Sequence, residues 1–231
     1  MLTVNRQGVT ILLDHEGLSE VPYVFRPALK GQMYEQAFLD HIASLALPGV
    51  YLDIGAHLGT HTLWFALACP STHVHAFEPV GRYAAVLRRN VQVNGLEQKV
   101  TVHQVGLSDQ DGRASNLMSV EHQMGFQPDP APVSEEFDVK RLDQVIRKRV
   151  ALMKLDVEGM EAAVLRGARR ILSRHRPAVF AEARTGQERD TIADVLAPLG
   201  YAATGRVFNA SPTYEFTATP RTGRLLRLRR G

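Results

Sequence analysis

Four segments of this sequence place reactive or ligand-binding residue types at informative spacing. Val50-Tyr51-Leu52-Asp53-Ile54-Gly55-Ala56-His57-Leu58-Gly59-Thr60 reads as a buried strand ending in an acid, then a glycine turn, then the start of a helix. Gly55 lets the backbone turn tightly and approach a ligand, and Gly59 lets the helix start pack against a sheet. A pyrophosphate-binding turn would read G-x-G-x-x-G. Here it reads G-A-H-L-G-T, with His57 at the second glycine's place. An acid at the strand end also repels phosphate, so Asp53 suits a ligand with a cationic or hydroxyl-bearing part. The second segment, Phe77-Glu78-Pro79, ends another strand 23 residues after Gly55. Glu78 there can accept hydrogen bonds from both hydroxyls of a ribose, or cap the helix that follows. In the third, Gly106-Leu107-Ser108-Asp109, the Asp109 carboxylate can accept from an adenine amino group while Leu107 packs on the ring. The run S-D-Q-D-G also serves as a plain turn.

The fourth segment is Met153-Lys154-Leu155-Asp156-Val157-Glu158-Gly159-Met160-Glu161. Asp156 and Glu158 are two apart and share a face if extended. Glu182, ending Val179-Phe180-Ala181-Glu182, comes near them from a neighbouring strand. Such carboxylates can orient or deprotonate a substrate hydroxyl, or hold a divalent ion. No ligand spacing supports a metal requirement, so none is assigned. The blander alternative has these acids capping helices and pairing with arginines, Glu161 above all. His122 is a candidate general base, set against the commoner case of a solvent-exposed loop histidine.

The elements that must position these residues alternate. Val50–Ile54, His73–Phe77, Val100–Gln104, Ala151–Asp156 and Ala178–Ala183 read as strands. Helical spacing links Phe38, Leu39, Ile42 and Leu45; Val80, Ala84, Leu87 and Val91; Val164, Leu165, Ala168, Ile171 and Leu172; and Ile192, Val195, Leu196 and Leu199. That rhythm predicts an α/β domain, a mostly parallel sheet wrapped by helices. Residues 1–32 read as a small β-rich N-terminal addition and 33–217 as the main domain, with Tyr201–Phe208 and Thr213–Thr217 pairing as a hairpin at one sheet edge. Residues 112–136 break the rhythm, with three prolines and no helical period. They follow the third core strand, beside the carboxyl ends where open sheets bind ligands, and are the candidate substrate-recognition loop.

Composition narrows the class. The chain has 231 residues, a net charge of +3, 45% hydrophobic and 22% charged residues, which excludes a disordered or collagen-like chain. The single cysteine, Cys69, rules out an internal disulfide and suits a reducing compartment. No apolar run is long enough to span a membrane and the N-terminus lacks a signal-peptide pattern, so a cytoplasmic protein is expected. Residues 218–231 hold five arginines and no acid; the rest of the chain is therefore −2. A slightly acidic body argues against nucleic acid as a partner. The basic tail suits RNA, an anionic membrane surface or an acidic partner, or is simply a solvated terminus.

In this order and spacing, D-I-G-A-H-L-G, F-E-P, G-L-S-D and K-L-D-V-E-G-M-E resemble the FkbM family of S-adenosylmethionine-dependent methyltransferases over residues 33–183. The K-x-D-V-E-G-x-E block is the most specific part. The resemblance implies a class I, Rossmann-like methyltransferase fold with a seven-stranded sheet, S-adenosylmethionine as cofactor, and methylation of a hydroxyl oxygen. Carried over, Asp53, Gly55 and Gly59 line the methionine part, Glu78 the ribose, and Ser108 and Asp109 the adenine, while Asp156, Glu158 and Glu182 face the methyl-transfer site. Two departures stand out: His57 replaces a common asparagine, and in Glu121-His122-Gln123-Met124-Gly125-Phe126 only Gly125 matches a family loop motif. The expected activity is O-methylation of a small molecule or saccharide. A nicotinamide-dependent oxidoreductase shares the βαβ start and the ribose acid, but this chain lacks the G-x-G-x-x-G and a Tyr-x-x-x-Lys pair in a catalytic position. A nucleic-acid methyltransferase would show a basic body, and where amino-directed ones place Asn or Asp before Pro-Pro-aromatic this chain has D-V-E-G. A non-catalytic scaffold that kept the fold is the remaining alternative.

Overall fold

The computed structural model describes residues 1–18, 20–118 and 133–219. Its centre is a seven-stranded sheet built from β3 (Gly49–Ile54), β4 (Ser71–Phe77), β5 (Val100–His103), β9 (Val150–Leu155), β10 (Ala178–Glu182), β11 (Tyr201–Phe208) and β12 (Thr213–Ala218), in the order β11-β12-β10-β9-β3-β4-β5. The five strands from β10 to β5 are parallel, and the β11–β12 hairpin closes one edge, with β12 antiparallel to β10. This is the mostly parallel, class I arrangement the motif order implies.

Alternation along the strands gives each sheet face its own core. Tyr51, Val74, Ala76, Leu152 and Phe180 face α1 (Gln36–Ser44), α2 (Thr60–Leu67) and α3 (Gly81–Val93). Leu52, Ile54, Met153, Leu155 and Val179 face α4 (Leu142–Val145), α5 (Glu161–Arg166), α6 (Arg169–His175) and α7 (Gly186–Leu196). Among the described residues no helix is long and apolar enough to cross a membrane.

Three details differ from the pattern read along the chain. The run Val164–Leu172 is two helices, not one, because Gly167 separates α5 from α6. A Cβ there would lie 2.1 Å from the Ser108 carbonyl oxygen, so only glycine permits this contact. The flanks of the 112–136 stretch are strands: β7 (Gly112–Met118) pairs antiparallel with β8 (Val133–Lys140), which also pairs with the short β6 (Gly106–Leu107). Residues 119–132 lie outside the described residues. At the N-terminus, a hairpin of β1 (Leu2–Arg6) and β2 (Val9–Leu13) is followed by a 3-10 helical segment, Tyr23–Lys30. Val4, Ile11, Leu13 and Phe25 join the same apolar cluster as α1 and α2.

Candidate active site

The carboxyl ends of β3, β4, β9 and β10 bring four of the predicted acids to one end of the sheet. At the end of β3, Gly55 has φ +77°, and a Cβ built on it would lie 1.7 Å from the Asp156 carbonyl oxygen. Here the β3 turn and the β9 end touch backbone to backbone, which only glycine allows. Gly59, at φ +92°, leaves room for Leu87 of α3, whose Cδ1 would lie 2.4 Å from an added Cβ.

Asp53 is fully buried. One carboxylate oxygen accepts from the Thr62 hydroxyl at 2.6 Å; the other, without a hydrogen bond, lies 3.4 Å from Lys154 Nζ. Lys154, also buried, donates to the Gly55 carbonyl at 3.0 Å and sits 3.4 Å from Asp156. Burial opposes its charge, but Asp156 and Asp53 outweigh that and hold the ammonium above its ordinary range. Asp53 thus lies beneath the glycine turn and is tied to it through Lys154. Lys154 is the link between the first and fourth motifs, and Thr62, absent from every motif, completes it.

Glu78 is nearly buried, and its two oxygens accept from the backbone amides of His57 and Val80, each at 2.9 Å. Burial pushes its pKa up to about 7 against the pull of those amides. Each oxygen keeps a second lone pair, so the cap on α3 and a diol partner are compatible roles. His57 has φ +50° and packs edge-on against Tyr83 at 4.4 Å; burial drives its pKa down to about 4, so the ring is neutral. Asp109 accepts from Arg166 Nε at 2.7 Å and lies 3.3 Å from the Ser108 hydroxyl. That ion pair occupies one face of the carboxylate which the sequence offered to an adenine.

Asp156, Glu158 and Glu182 each present a carboxylate oxygen within 4.8 Å of the others, the spacing of a group able to surround one cation. They differ sharply in environment. Glu182 is 8% exposed and hydrogen-bonded to Ser211 and to Asp156. Burial first, then the charge of Asp156, raises its pKa to about 8. Burial also pushes the Asp156 carboxyl up, but Lys154 outweighs it and holds the group below its ordinary range. The two are thus driven apart, Glu182 upward by burial and Asp156 downward by Lys154. Glu158, at φ +55°, is exposed and paired to Arg184 at 2.7 Å. Glu161 is buried and accepts from the Val157 and Gly159 amides at 2.8 and 3.4 Å, so it shapes the loop that carries Glu158. His122 lies outside the described residues.

A wall that no motif announced comes from the N-terminal segment. Tyr23 and Tyr34 meet edge-to-face at 5.4 Å, and Tyr34 stacks over His61 at 6.1 Å. His61 lies 3.2 Å from Glu35, which has φ +57°. Burial above all, with the charges of Glu35 and Asp156 added, raises both phenols, so they stay protonated.

The model of the methyltransferase FkbM domain matches residues 53–214. This chain belongs to the FkbM methyltransferase family. Methyltransferase sdnD of Sordaria araneosa is 28% identical over 174 residues, covering 58% of this chain and 67% of that protein. The 31-O-demethyl-FK506 methyltransferase FkbM of Streptomyces tacrolimicus is 28% identical over 196 residues, 69% of this chain and 72% of that one. The solved FkbM methyltransferase of Methylobacillus flagellatus KT superposes with a TM-score of 0.57 at 18% identity, covering 74% of this chain and 43% of its own. A precorrin-6y C5,15-methyltransferase of Geobacter metallireducens GS-15 gives 0.53 at 16% identity, over 91% and 97%. These two likenesses show the fold. The chain spans about two thirds of the curated relatives' length and under half of the solved FkbM chain. Tyr23, Tyr34 and Glu35 fall outside the matched 53–214 stretch, whose first residue is Asp53.

Proposed function

We propose that this FkbM domain transfers a methyl group from S-adenosylmethionine to a hydroxyl oxygen of a small molecule or saccharide, in the cytoplasm. The observation that carries the reading is the gathering of the Asp156, Glu158 and Glu182 carboxylates within 4.8 Å of one another, with Lys154 3.4 Å from Asp156, at the strand ends beside the Gly55 turn and the Glu78 corner. S-adenosylmethionine supplies an electrophilic methyl group bound to a sulfonium, which needs no covalent help from the protein. Glu78, with two lone pairs left, suits a ribose diol; the Gly55–Gly59 turn offers close backbone approach. Asp156, beside Lys154, accepts the acceptor hydroxyl's proton as its oxygen attacks, and Glu182, hydrogen-bonded to Asp156 and held by Ser211, orients that carboxylate. Tyr23 and Tyr34 wall the acceptor side. A divalent ion at the three carboxylates is not required by this reading.

Calorimetric titration with S-adenosylhomocysteine, with NAD in parallel, tests it. One site per chain for the first, with a Kd on the order of micromolar, is expected. Glu78→Gln keeps the shape but loses charge-assisted acceptance and should weaken binding roughly 10- to 100-fold. Binding of NAD alone, or an unchanged Kd in Glu78→Gln, refutes the assignment.

A further inference from the structure

The sheet edge remote from the hairpin carries a feature that the methyl-transfer reading leaves unused. In β4 the residues Val74 and Ala76 point into one core, so His73, His75 and Phe77 share the opposite face. The neighbouring edge strand β5 is paired in the register His75↔Thr101 and Phe77↔His103, which puts Thr101 and His103 on that same face. Three imidazoles therefore gather on two adjacent strands, all half-buried and reachable by solvent.

The contacts are close. His75 Nδ1 lies 2.9 Å from His103 Nε2, and the His73 and His75 rings are 4.8 Å apart. His103 is fixed by stacking on Phe77 at 4.5 Å and 11°. His73 Nε2 lies 2.8 Å from the Thr101 hydroxyl. Two nitrogens on one tetrahedral zinc, at about 2.0–2.1 Å each, are about 3.3 Å apart. The His75–His103 pair is within a few tenths of an ångström of that spacing.

We infer that His75 and His103, with His73 as third ligand, form a binding site for a borderline transition-metal ion such as Zn2+, Co2+ or Ni2+. Loading it needs one ring of the pair to shift its N–H to its other nitrogen, so that both facing nitrogens offer lone pairs; no proton is released. His73 must give up Thr101 and rotate toward the pair. Burial, and the charges of neighbouring imidazoles and Lys148, hold the three rings below their ordinary range, His75 at about 4, so they are neutral and able to ligate at pH 7. Among the described residues, the charged groups acting on these rings are the imidazoles themselves and Lys148. An all-nitrogen set of this kind favours zinc, copper or nickel and rejects Mg2+ and Ca2+. The oxygen-only group at Asp156, Glu158 and Glu182 has the reverse preference. Lys148 is exposed and swings aside on a flexible stem. The site lies directly behind the Glu78 corner, since the Glu78 amide donates to the His103 carbonyl at 3.0 Å.

The test is a titration of the full chain, without a histidine tag, with Co2+ followed by visible absorption and displaced by Zn2+. Wild type, His75→Ala, His103→Ala and Asp156→Asn are compared, each checked for folding by circular dichroism. One ion per chain with a Kd on the order of micromolar is expected for wild type and Asp156→Asn. Loss of a ligand should weaken binding at least as much as loss of an outer-shell partner does, about 10- to 100-fold. No binding below about millimolar, an unchanged titration in both histidine variants, or loss confined to Asp156→Asn overturns the inference. A second readout needs no variant: of the nine histidines, substoichiometric Ni2+ should first broaden the ring resonances of His73, His75 and His103. Broadening that begins elsewhere has the same overturning force.

Discussion

Replacing Lys154 by Met is the most informative single perturbation of the site's foundation. The ammonium is the only cation against the fully buried Asp53, 3.4 Å away, among the described ion pairs. Methionine fills a similar volume but leaves the buried Asp53 without its cation, with the Thr62 hydroxyl as its one hydrogen-bond donor. Breaking a buried pair from one side costs about 3–5 kcal/mol, because the remaining charge stays desolvated. With a urea slope of about 3 kcal/mol per molar, the midpoint should fall by roughly 1–1.7 M. At roughly 2–4 °C per kcal/mol for a chain of this size, Tm should fall by roughly 6–20 °C.

The assay is already in the molecule. Trp64 is the only tryptophan and is fully buried on α2, with its indole donating to the Leu39 carbonyl at 3.0 Å, so its fluorescence reports the core. The decisive comparison is the double variant Asp53→Asn with Lys154→Met. Removing both charges leaves no uncompensated ion at Asp53, and the loss of Lys154 at Asp156 is common to Lys154→Met and the double variant, so the double variant should cost at least ~2 kcal/mol less than the sum of the two single variants. A Lys154→Met midpoint within about 1 kcal/mol of wild type, or additive single variants, would refute the argument that this pair anchors the β3–β9 junction.

Two further outcomes test other parts of the site. Glu182 has a folded pKa of about 8 against the ordinary 4.5, so the folded chain holds a proton that the unfolded chain has released. Its stabilising effect is complete below the unfolded value and is lost as pH rises through about 8. Because the glutamine amide cannot titrate, Tm of Glu182→Gln minus that of wild type should grow between about pH 6 and 9; a constant difference would sink the upward shift of Glu182. Gly167→Ala, whose Cβ falls 2.1 Å from the Ser108 carbonyl at an ordinary backbone angle, should destabilise by about 1–3 kcal/mol. Gly186→Ala, with nothing within 4 Å of its Cβ, is the control, and equal Tm values for the two would show that the Ser108 contact gives way freely.

What could be read along the chain follows a physical boundary. Strand ends were legible because a run of buried residues stops at an acid, and a parallel sheet gathers all such ends at one place: Asp53, Glu78, Asp156 and Glu182 needed only that rule. What each acid does there was not, because burial and pairing are tertiary. Asp53 and Glu182 have the same kind of address, yet one is fully buried beside Lys154 and the other is hydrogen-bonded to Ser211 and Asp156. Lys154 itself was visible in K-L-D, but nothing local says that its ammonium turns inward toward β3. Gly167 escaped for a similar reason, since helical periodicity runs through it and the demand for glycine comes from Ser108, 59 residues earlier. Strand β8 was hidden because Phe137 and Val139 alternate with charged residues at the margin of the fold, where few apolar positions are needed. It nevertheless sends Glu135 to the Gly81 amide at 2.7 Å, at the start of the helix that Glu78 caps. The acceptor wall of Tyr23, Tyr34 and Glu35 carries no spacing signal at all, since its residues meet the site only through the packing of the N-terminal hairpin on α1 and α2. The acids at the strand ends thus lie where backbone topology dictates, whereas Tyr23, Tyr34 and Glu35 come from outside the matched 53–214 stretch. That division explains why the reaction class is legible in the sequence while the acceptor has to be sought by experiment, with Tyr23 and Tyr34 as the first positions to vary.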